Sequence, residues 1–431
     1  MRFSLKIIQT LATKILLVFI TFLISYVVIK LVGAAGQGQI TTLLTSCLLI
    51  SSIFFMSIGS GLIYYSNHEN DISGYYSVTF FLSIILTLFL LILLFLCKDF
   101  FVEKFLKLNN PYFFDVALVL IAALNLGKLS NSISRANHNS MLYNGAIFSE
   151  KFLYFIIILI FWLKGINVSV FQIIYFLLLA LIISHLIVII RYINLLSFLK
   201  IKFRRIKNIF LFSLKGHIGV IIQKLNLKFD IILLSYLFSS NIVGYYSISV
   251  LFSYIVLYIP DSIAVFLYPK LSKIKNFDEK LELTLKINRI TFLTVLIISF
   301  FIILFGRIIL TSFYGKEFEI SYIPLTILLI GSILFTLVKI ITKLSTADGN
   351  PAVGSRISFI GIMVNIPLLI ILVPKYQIIG AAIATSVSYF LMSMYALYWL
   401  VKRSKKITFE KLFILNSNDI NMVKNILKHK K

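Results

Sequence analysis

Residues 78–97 read V-T-F-F-L-S-I-I-L-T-L-F-L-L-I-L-L-F-L-C, an uninterrupted run without a charged side chain. A helix of about 20 residues is about 30 Å long, which matches the hydrocarbon thickness of a bilayer. A helix also satisfies its own backbone hydrogen bonds, so lipid can surround it. The run therefore predicts a membrane-spanning helix.

The composition of the whole chain extends this prediction. Of the 431 residues, 60% are hydrophobic and 13% are charged, and the mean hydropathy is +1.00. A soluble chain of this length would leave much of that apolar surface exposed and would aggregate. The apolar runs are about 20 residues long, whereas the strands of membrane barrels are about 10 residues long and alternate in polarity. The fold class predicted is an all-α integral membrane protein.

We predict about twelve transmembrane helices, with the fourth the weakest because it ends in K-L-S-N (128–131). The N-terminal run after Arg2 and Lys6 is long for a signal peptide and is taken as a retained first span. The predicted spans cover residues 11–32, 39–65, 75–97, 112–132, 145–163, 168–190, 209–238, 242–268, 289–313, 322–344, 355–374 and 378–401.

The net charge of +25 is explained by topology rather than by nucleic acid, because the basic residues lie mostly between apolar runs. They are concentrated at the N-terminus, in several even-numbered connections and in the C-terminal tail, whereas the other side of the membrane carries few. The positive-inside rule then places both termini in the cytoplasm. The basic tail, residues 402–431, is expected either to lie on the anionic inner leaflet, with membrane lipids as partners, or to be solvated.

Two pairs of segments indicate an internal repeat. S-R-A-N-H-N (134–139) and S-T-A-D-G-N (345–350) are 211 residues apart, and Gly38-Gln39 and Gly244-Tyr245 are 206 apart. Because six spans is an even number, the two halves would have parallel orientation, as in transporters with a central path. We therefore predict an N-terminal six-helix lobe with the start of a linker (1–200) and a C-terminal six-helix lobe (201–401) around a central cavity.

The seventh predicted span is unusually polar for a membrane helix. At 100° per residue, His217, Lys224 and Lys228 share one stripe, and Gln223, Asn226 and Asp230 share a neighbouring one. Since a Lys near the bilayer centre costs about 2.5–3.5 kcal/mol, such a face favours a water-filled cavity. The candidate substrate-binding residues are Lys215, His217, Gln223, Lys224, Asn226, Lys228 and Lys339.

Other interpretations remain for several of these residues. Lys215 and Lys339 lie near span ends, where snorkelling to the cytoplasmic interface explains them. Lys228 can pair with Asp230 or another carboxylate, or can line the cavity. Asp230 is the candidate for a coupling cation or proton.

A lysine-lined cavity suits an anionic headgroup, and a lipid-linked pyrophosphate is the natural candidate because ammonium groups bind phosphate well. The sequence has no P-loop, no nucleophile elbow and no His/Cys metal spacing. We therefore expect no enzyme activity, no catalytic residue, no metal and no cofactor.

The chain also carries a set of motifs in a recognisable order. The N-terminal half contributes G-A-A-G-Q-G-Q (33–39) and I-G-S-G (58–61). The C-terminal half contributes L-K-F-D-I-I-L-L-S-Y-L-F (227–238), N-I-V-G-Y-Y-S-I-S (241–249), Y-P-K-L-S-K (268–273), F-Y-G-K-E-F (313–318), S-T-A-D-G-N (345–350) and P-K-Y-Q-I-I-G-A-A-I-A-T (374–385). Over nearly all of its length the chain resembles the Wzx-type polysaccharide-unit flippases of the multidrug/oligosaccharidyl-lipid/polysaccharide exporter superfamily.

The resemblance implies two six-helix lobes, a cationic cavity and alternating access, coupled to an ion, in the bacterial inner membrane. It implies transfer of undecaprenyl-pyrophosphate-linked oligosaccharide to the outer face for O-antigen or capsule synthesis. A polysaccharide polymerase and a chain-length regulator are therefore candidate partners. The chain departs from the family at Gln377, where Gly usually precedes the G-A-A-x-A-T stretch, and the departure concerns a turn.

Several alternatives stay open. A multidrug antiporter of the same superfamily would favour acidic cavity residues. A lipid II flippase often has extra helices, for which this chain leaves no room. A membrane-embedded polymerase or ligase typically has a large catalytic outer loop, and the longest outer connection, 98–111, is short. A structural scaffold would leave the mid-span Lys224 unexplained.

Overall fold

The computed structural model describes residues 2–69, 72–99, 111–197, 200–404 and 407–414. Every regular element in these ranges is helical. The α-helices are α1 (Arg2–Phe54), α2 (Ile58–Ser66), α3 (Ile72–Leu96), α4 (Tyr112–Ala136), α5 (Ser140–Leu163), α6 (Val170–Tyr192), α7 (Phe203–Leu237), α8 (Ser240–Lys273), α9 (Phe277–Tyr314), α10 (Tyr322–Ala347), α11 (Ala352–Arg403) and α12 (Phe409–Phe413).

The helices account for the predicted number of spans. Within the described ranges, nine helical segments are long and apolar enough to cross a membrane. Two of these, in α1 and α11, each join two spans across a break, at Gly33 and Gln377. The 35-residue α7 is also long enough to cross, although its charged residues keep it outside the apolar set. The fold class, an all-α membrane protein with about twelve crossings, is therefore confirmed.

The break in α11 falls at the residue where the sequence departs from the resembling family. Gln377 has φ 49° and ψ −126°, a conformation that glycine adopts readily and that a side chain makes costly, by about 1–3 kcal/mol. The other break inside a long helix, in α1, is at Gly33, with φ 67°. The structure thus confirms that the departure concerns a turn.

The two loops of the predicted repeat have the same geometry. After α4, the amide of Asn139 donates to the carbonyl of Ser134 at 2.9 Å, and His138 has φ 53°. After α10, the amide of Asn350 donates to the carbonyl of Ser345 at 2.8 Å, and Gly349 has φ 82°. Both helices end in the same left-handed cap, which supports the repeat at the predicted offset of 211 residues.

The second pair of the repeat forms a reciprocal helix crossing. A Cβ added to Gly38 would collide with the carbonyl oxygen of Ser240, and one added to Gly244 would collide with that of Ala34. At the repeat offset of 206 residues, Ser240 is the counterpart of Ala34, and Gly244 is the counterpart of Gly38. The contact of Gly38 with Ser240 is therefore repeated by the contact of Gly244 with Ala34. A self-complementary contact of this kind is what local two-fold symmetry produces. Small residues permit this close approach of two backbones.

The chain divides into two compact units, Met1–Ser247 and Ile248–Lys431. The first unit has a core of buried aliphatic residues from α1, α4, α5 and α6, among them Leu43, Leu120, Ile158 and Ile173. It also contains α7, which packs against α1, α2 and α3. The predicted lobes, divided at residues 200 and 201, remain a prediction.

The second unit is built around α9, α10 and α11, with most of α8 and the short α12. Its core includes Leu271, Leu337, Leu344 and Leu400. Helix α12 is fixed to α9 because Asn288 Nδ2 donates to the Leu412 carbonyl at 3.0 Å. The tail beyond residue 414 lies outside the described residues, so its predicted location is unchanged.

Candidate substrate-binding site

Helix α7 carries most of the predicted site residues, and the structure divides them into two groups. His217, Asn226 and Asp230 are buried, together with apolar residues such as Ile209 and Leu234. Lys215, Gln223 and Lys224 are exposed, whereas Lys228 is half-buried. The broad polar face predicted from the sequence is thus divided in two. The packed side carries His217, Asn226 and Asp230, and the open side carries the exposed Lys215, Gln223 and Lys224.

His217 joins α7 to the junction between α1 and α2. Its Nε2 lies 2.7 Å from the Ile53 carbonyl oxygen, and its Nδ1 lies 3.1 Å from Ser57 Oγ. A carbonyl oxygen only accepts, so Nε2 carries the proton and Nδ1 accepts from the serine hydroxyl. Both ring nitrogens are used in helix packing, which makes His217 a positioning residue in this structure.

Asp230 is also held by neighbouring groups. Its carboxylate accepts from the buried Tyr246 hydroxyl at 2.7 Å and from the Ile231 amide at 2.8 Å. The charge of Lys228 acts on it as well. Tyr246 and the Ile231 amide thereby fix the orientation of the Asp230 carboxyl group on the packed side of α7, next to the open side.

A basic residue of α4 completes the open side. Lys128 Nζ donates to Ser51 Oγ and lies 3.5 Å from Asn125 Oδ1, and it lies over the Phe55 ring at 5.3 Å from the centroid. Asn125 is itself held, because it accepts from Ser51 at 2.6 Å and donates to Thr87 at 3.0 Å. The ammonium group is therefore positioned by α1, α3 and α4 together.

These three lysines influence one another. Lys224 exerts electrostatic repulsion on both Lys128 and Lys228. Within the part of the chain that the structure describes, Lys224 has no ion-pair partner. We call Lys128, Lys224 and Lys228 the lysine cluster. Like charges brought together in a partly desolvated place repel, and a bound polyanion would relieve that repulsion.

Lys339 lies in the second unit and has a different environment. Its Nζ is 2.7 Å from Asp261 Oδ1 and 5.2 Å from the centroid of the Phe335 ring. Asp261 follows Pro260 in α8. Lys339 is thus an ion-paired residue that links α10 to α8.

Sequence reasoning missed Lys128, Ser51 and Asn125 in the first unit and Asp261 in the second. A signal for Lys128 was present, since a charged residue inside a predicted span is a default candidate for function. Its partner Ser51 lies 77 residues away in sequence, and no local pattern shows that contact.

Similar folds were found among solved structures of membrane transporters. A structure described as the lipid II flippase MurJ in an inward closed conformation matches 99% of this chain and 93% of that one, with a TM-score of 0.77 and 17% identity. An inward-facing multidrug resistance MATE family transporter matches 90% of this chain and 94% of that one, with a TM-score of 0.70 and 14% identity. These likenesses show that the chain has the helical fold of these transporter structures.

The sequence comparison gives the family. Residues 31–323 match the family described as "Polysaccharide biosynthesis protein", and the chain belongs to that family. The predicted resemblance to polysaccharide-unit flippases is thereby confirmed. The match to MurJ covers 93% of the MurJ chain. The expectation that this chain leaves no room for the extra helices of a lipid II flippase therefore does not distinguish its fold from that of MurJ.

Curated relatives carry related descriptions. The chain is 27% identical over 202 residues to a putative O-antigen transporter of Shigella flexneri, covering 47% of this chain and 48% of the relative. It is 28% identical over 203 residues to the capsular polysaccharide biosynthesis protein CapF of Staphylococcus aureus, covering 46% and 51%. It is 28% identical over 164 residues to a probable glycan biosynthesis flippase of Haloferax volcanii, covering 37% and 34%. The chain spans about half, or less, of the length of these relatives.

Proposed function

We propose that this protein is a flippase that moves undecaprenyl-pyrophosphate-linked oligosaccharide units from the cytoplasmic to the outer leaflet for surface polysaccharide synthesis. The lysine cluster is the observation that carries the proposal, because it places three lysine side chains within electrostatic range of one another inside a membrane fold. Membership of the polysaccharide biosynthesis family supports the substrate class.

The chemistry of the headgroup fits the cluster. A pyrophosphate diester carries two negative charges on adjacent phosphates, and ammonium groups bind such oxygens through charge-assisted hydrogen bonds. Lys224 is exposed and can contact the headgroup directly, whereas Lys128 is held in place by Ser51 and Asn125 before any ligand binds. Preorganisation of this kind lowers the entropic cost of binding.

The proposal also includes the membrane topology and the transport cycle. Both termini lie in the cytoplasm, and two lobes of parallel orientation alternate between inward and outward access in a bacterial inner membrane. The transport is ion-coupled, with Asp230 as one candidate residue. A multidrug antiporter is the second candidate function, favoured by the fold likeness to a MATE transporter, and it would bind cations rather than anions.

The proposal is tested in proteoliposomes that contain the undecaprenyl-pyrophosphate-linked oligosaccharide. The rate of translocation is read from the protection of the sugar against an impermeant glycosidase. Removing one charge-assisted hydrogen bond costs about 1.5–3 kcal/mol, so Lys224→Gln should slow transfer at limiting substrate roughly tenfold to a hundredfold.

Lys207→Gln is the matched control, because Lys207 is an exposed lysine near the start of the same helix. It should transfer the lipid at the wild-type rate. Wild-type rates in Lys224→Gln, or export of cationic drugs without movement of the lipid-linked sugar, would contradict the proposal.

A further inference from the structure

A second polar cluster lies inside the first unit, where α4, α5 and α6 meet. His185 of α6 places Nδ1 2.9 Å from Ser130 Oγ of α4 and Nε2 3.3 Å from Glu150 Oε2 of α5. The side chain of His185 is only 2% exposed, and that of Glu150 is 14% exposed. Titratable groups buried inside a membrane protein are costly and are default candidates for function.

The helix packing makes room for this imidazole ring. Gly127 lies one turn before Ser130 on α4, and a Cβ at that position would approach the ring to 3.3 Å. The ring is therefore held between a hydroxyl, a carboxylate and a bare stretch of helix backbone. This arrangement fixes which atoms His185 can exchange a proton with.

The charges around the cluster come from a small set of groups. Lys151 lies 3.0 Å from Glu150 Oε1. Lys151 and His185 are charged or titratable groups that act on the Glu150 carboxylate. Tyr154 lies one turn further along α5 and is buried. The Lys128 ammonium of α4 is engaged by Ser51 and Asn125.

The geometry accommodates two proton states of His185. In the neutral ring, Nε2–H donates to Glu150 and Nδ1 accepts from the Ser130 hydroxyl. When a proton is added at Nδ1, that nitrogen donates instead, and the Ser130 hydroxyl rotates so that its oxygen accepts. No hydrogen bond to the ring is lost, and the added positive charge lies beside Glu150. Glu150 is the more exposed of the pair.

We infer that His185, Glu150 and Ser130 form a proton-binding site that couples proton movement to the transport cycle. The site is separate from the lysine cluster, and its coupling role rests on the proposed flippase function. Asp230 is the competing site for coupling, but both of its oxygens already accept hydrogen bonds from Tyr246 and the Ile231 amide. A purely structural role, in which the polar contacts hold three helices together, is the alternative that the experiment must separate.

Proton binding is measured by nitrogen NMR of the full chain labelled with ¹⁵N-histidine in lipid. The chain has five histidines, and His185→Gln identifies the resonance of interest. Spectra are recorded from about pH 5 to pH 8, the range in which imidazoles bind and release protons, and we expect the ring-nitrogen resonances of His185 to change reversibly as a proton is taken up. In Glu150→Gln the midpoint should fall to lower pH, with a loss of proton affinity of about tenfold or more, because the neighbouring negative charge is removed. His138→Gln is the control, since His138 lies in the exposed loop after α4.

A ring that stays in one protonation state across this range, or a titration that Glu150→Gln does not move, would overturn the proton site in favour of a structural role. This measurement needs no substrate. It therefore tests the proton site even where the flippase function itself fails.

Coupling is measured in proteoliposomes loaded with the lipid-linked oligosaccharide, under an imposed pH gradient with the outer face acidic. The gradient should accelerate wild-type and His138→Gln transfer several-fold and leave His185→Gln transfer unchanged. An equal acceleration of His185→Gln would overturn the coupling role. If the wild type moves no lipid, the flippase function has failed, and the coupling role is overturned with it.

Discussion

Lys224 and Lys339 are both lysines of membrane helices, yet their surroundings differ. Lys339 has a carboxylate, Asp261, at 2.7 Å, whereas Lys224 faces the repulsion of Lys128 and Lys228. A paired lysine has its charge neutralised within the protein and contributes to structure. A lysine among other lysines leaves positive charge for a ligand to neutralise. We therefore propose that the identity of the neighbouring charged groups, rather than residue type or depth, separates a binding lysine from a structural one.

Charge reversal at Lys224 and at Lys339 is expected to give the largest effects and tests the difference between the two lysines most directly. Lys224→Glu should weaken binding of the pyrophosphate lipid by about a hundredfold or more, since an attraction becomes a repulsion, and should leave the thermal midpoint unchanged or raised. Lys339→Glu should instead lower the thermal midpoint, by roughly 2–4 °C for each kcal/mol lost, because it sets two carboxylates against each other. Ligand binding and thermal unfolding in lipid nanodiscs check both, and a loss of affinity confined to Lys339→Glu would contradict the assignment.

A smaller effect is expected from Lys128→Gln. The change removes one cation of the lysine cluster while keeping a side chain that can bond to Ser51, so binding of the pyrophosphate lipid should weaken about tenfold. Stability without ligand should not fall, because the repulsion from Lys224 is also removed. The measurement is a titration with the pyrophosphate lipid, followed by thermal unfolding with and without it. Wild-type affinity would exclude Lys128 from the binding site.

The smallest effect concerns the ion pair of the second unit. A double-mutant cycle with Lys339→Gln and Asp261→Asn should give a coupling energy of about 0.5–1 kcal/mol, because the pair is partly exposed. The free energy of unfolding of the four proteins in detergent provides the measurement. A coupling energy of zero would mean that Lys339 does not depend on Asp261, and the contrast with Lys224 would lose its basis.

Much of the fold was predictable because each crossing repeats the same physical requirement. A run of about 20 apolar residues is visible without any knowledge of its neighbours, and the breaks at Gly33 and Gln377 fall at predicted connections. The repeat was also visible, since its loops at 134–139 and 345–350 end their helices in the same way.

The candidate site was only partly predictable. The periodicity of α7 indicated a polar face, but it could not show that His217 and Asp230 turn towards other helices while Lys224 stays exposed. The contacts that decide this come from Ile53, Ser57 and Tyr246. The cluster around His185 escaped notice because its three residues lie on three separate helices, and no local pattern shows the contacts between them.

The close helix crossing at Gly38 and Gly244 limits which substitutions this sequence can accept. The atoms that a new side chain would meet are the backbone carbonyls of Ser240 and Ala34, and no second substitution can make a carbonyl smaller. A larger residue at either glycine therefore cannot be compensated by a smaller neighbouring side chain, whereas many substitutions in a hydrophobic core can.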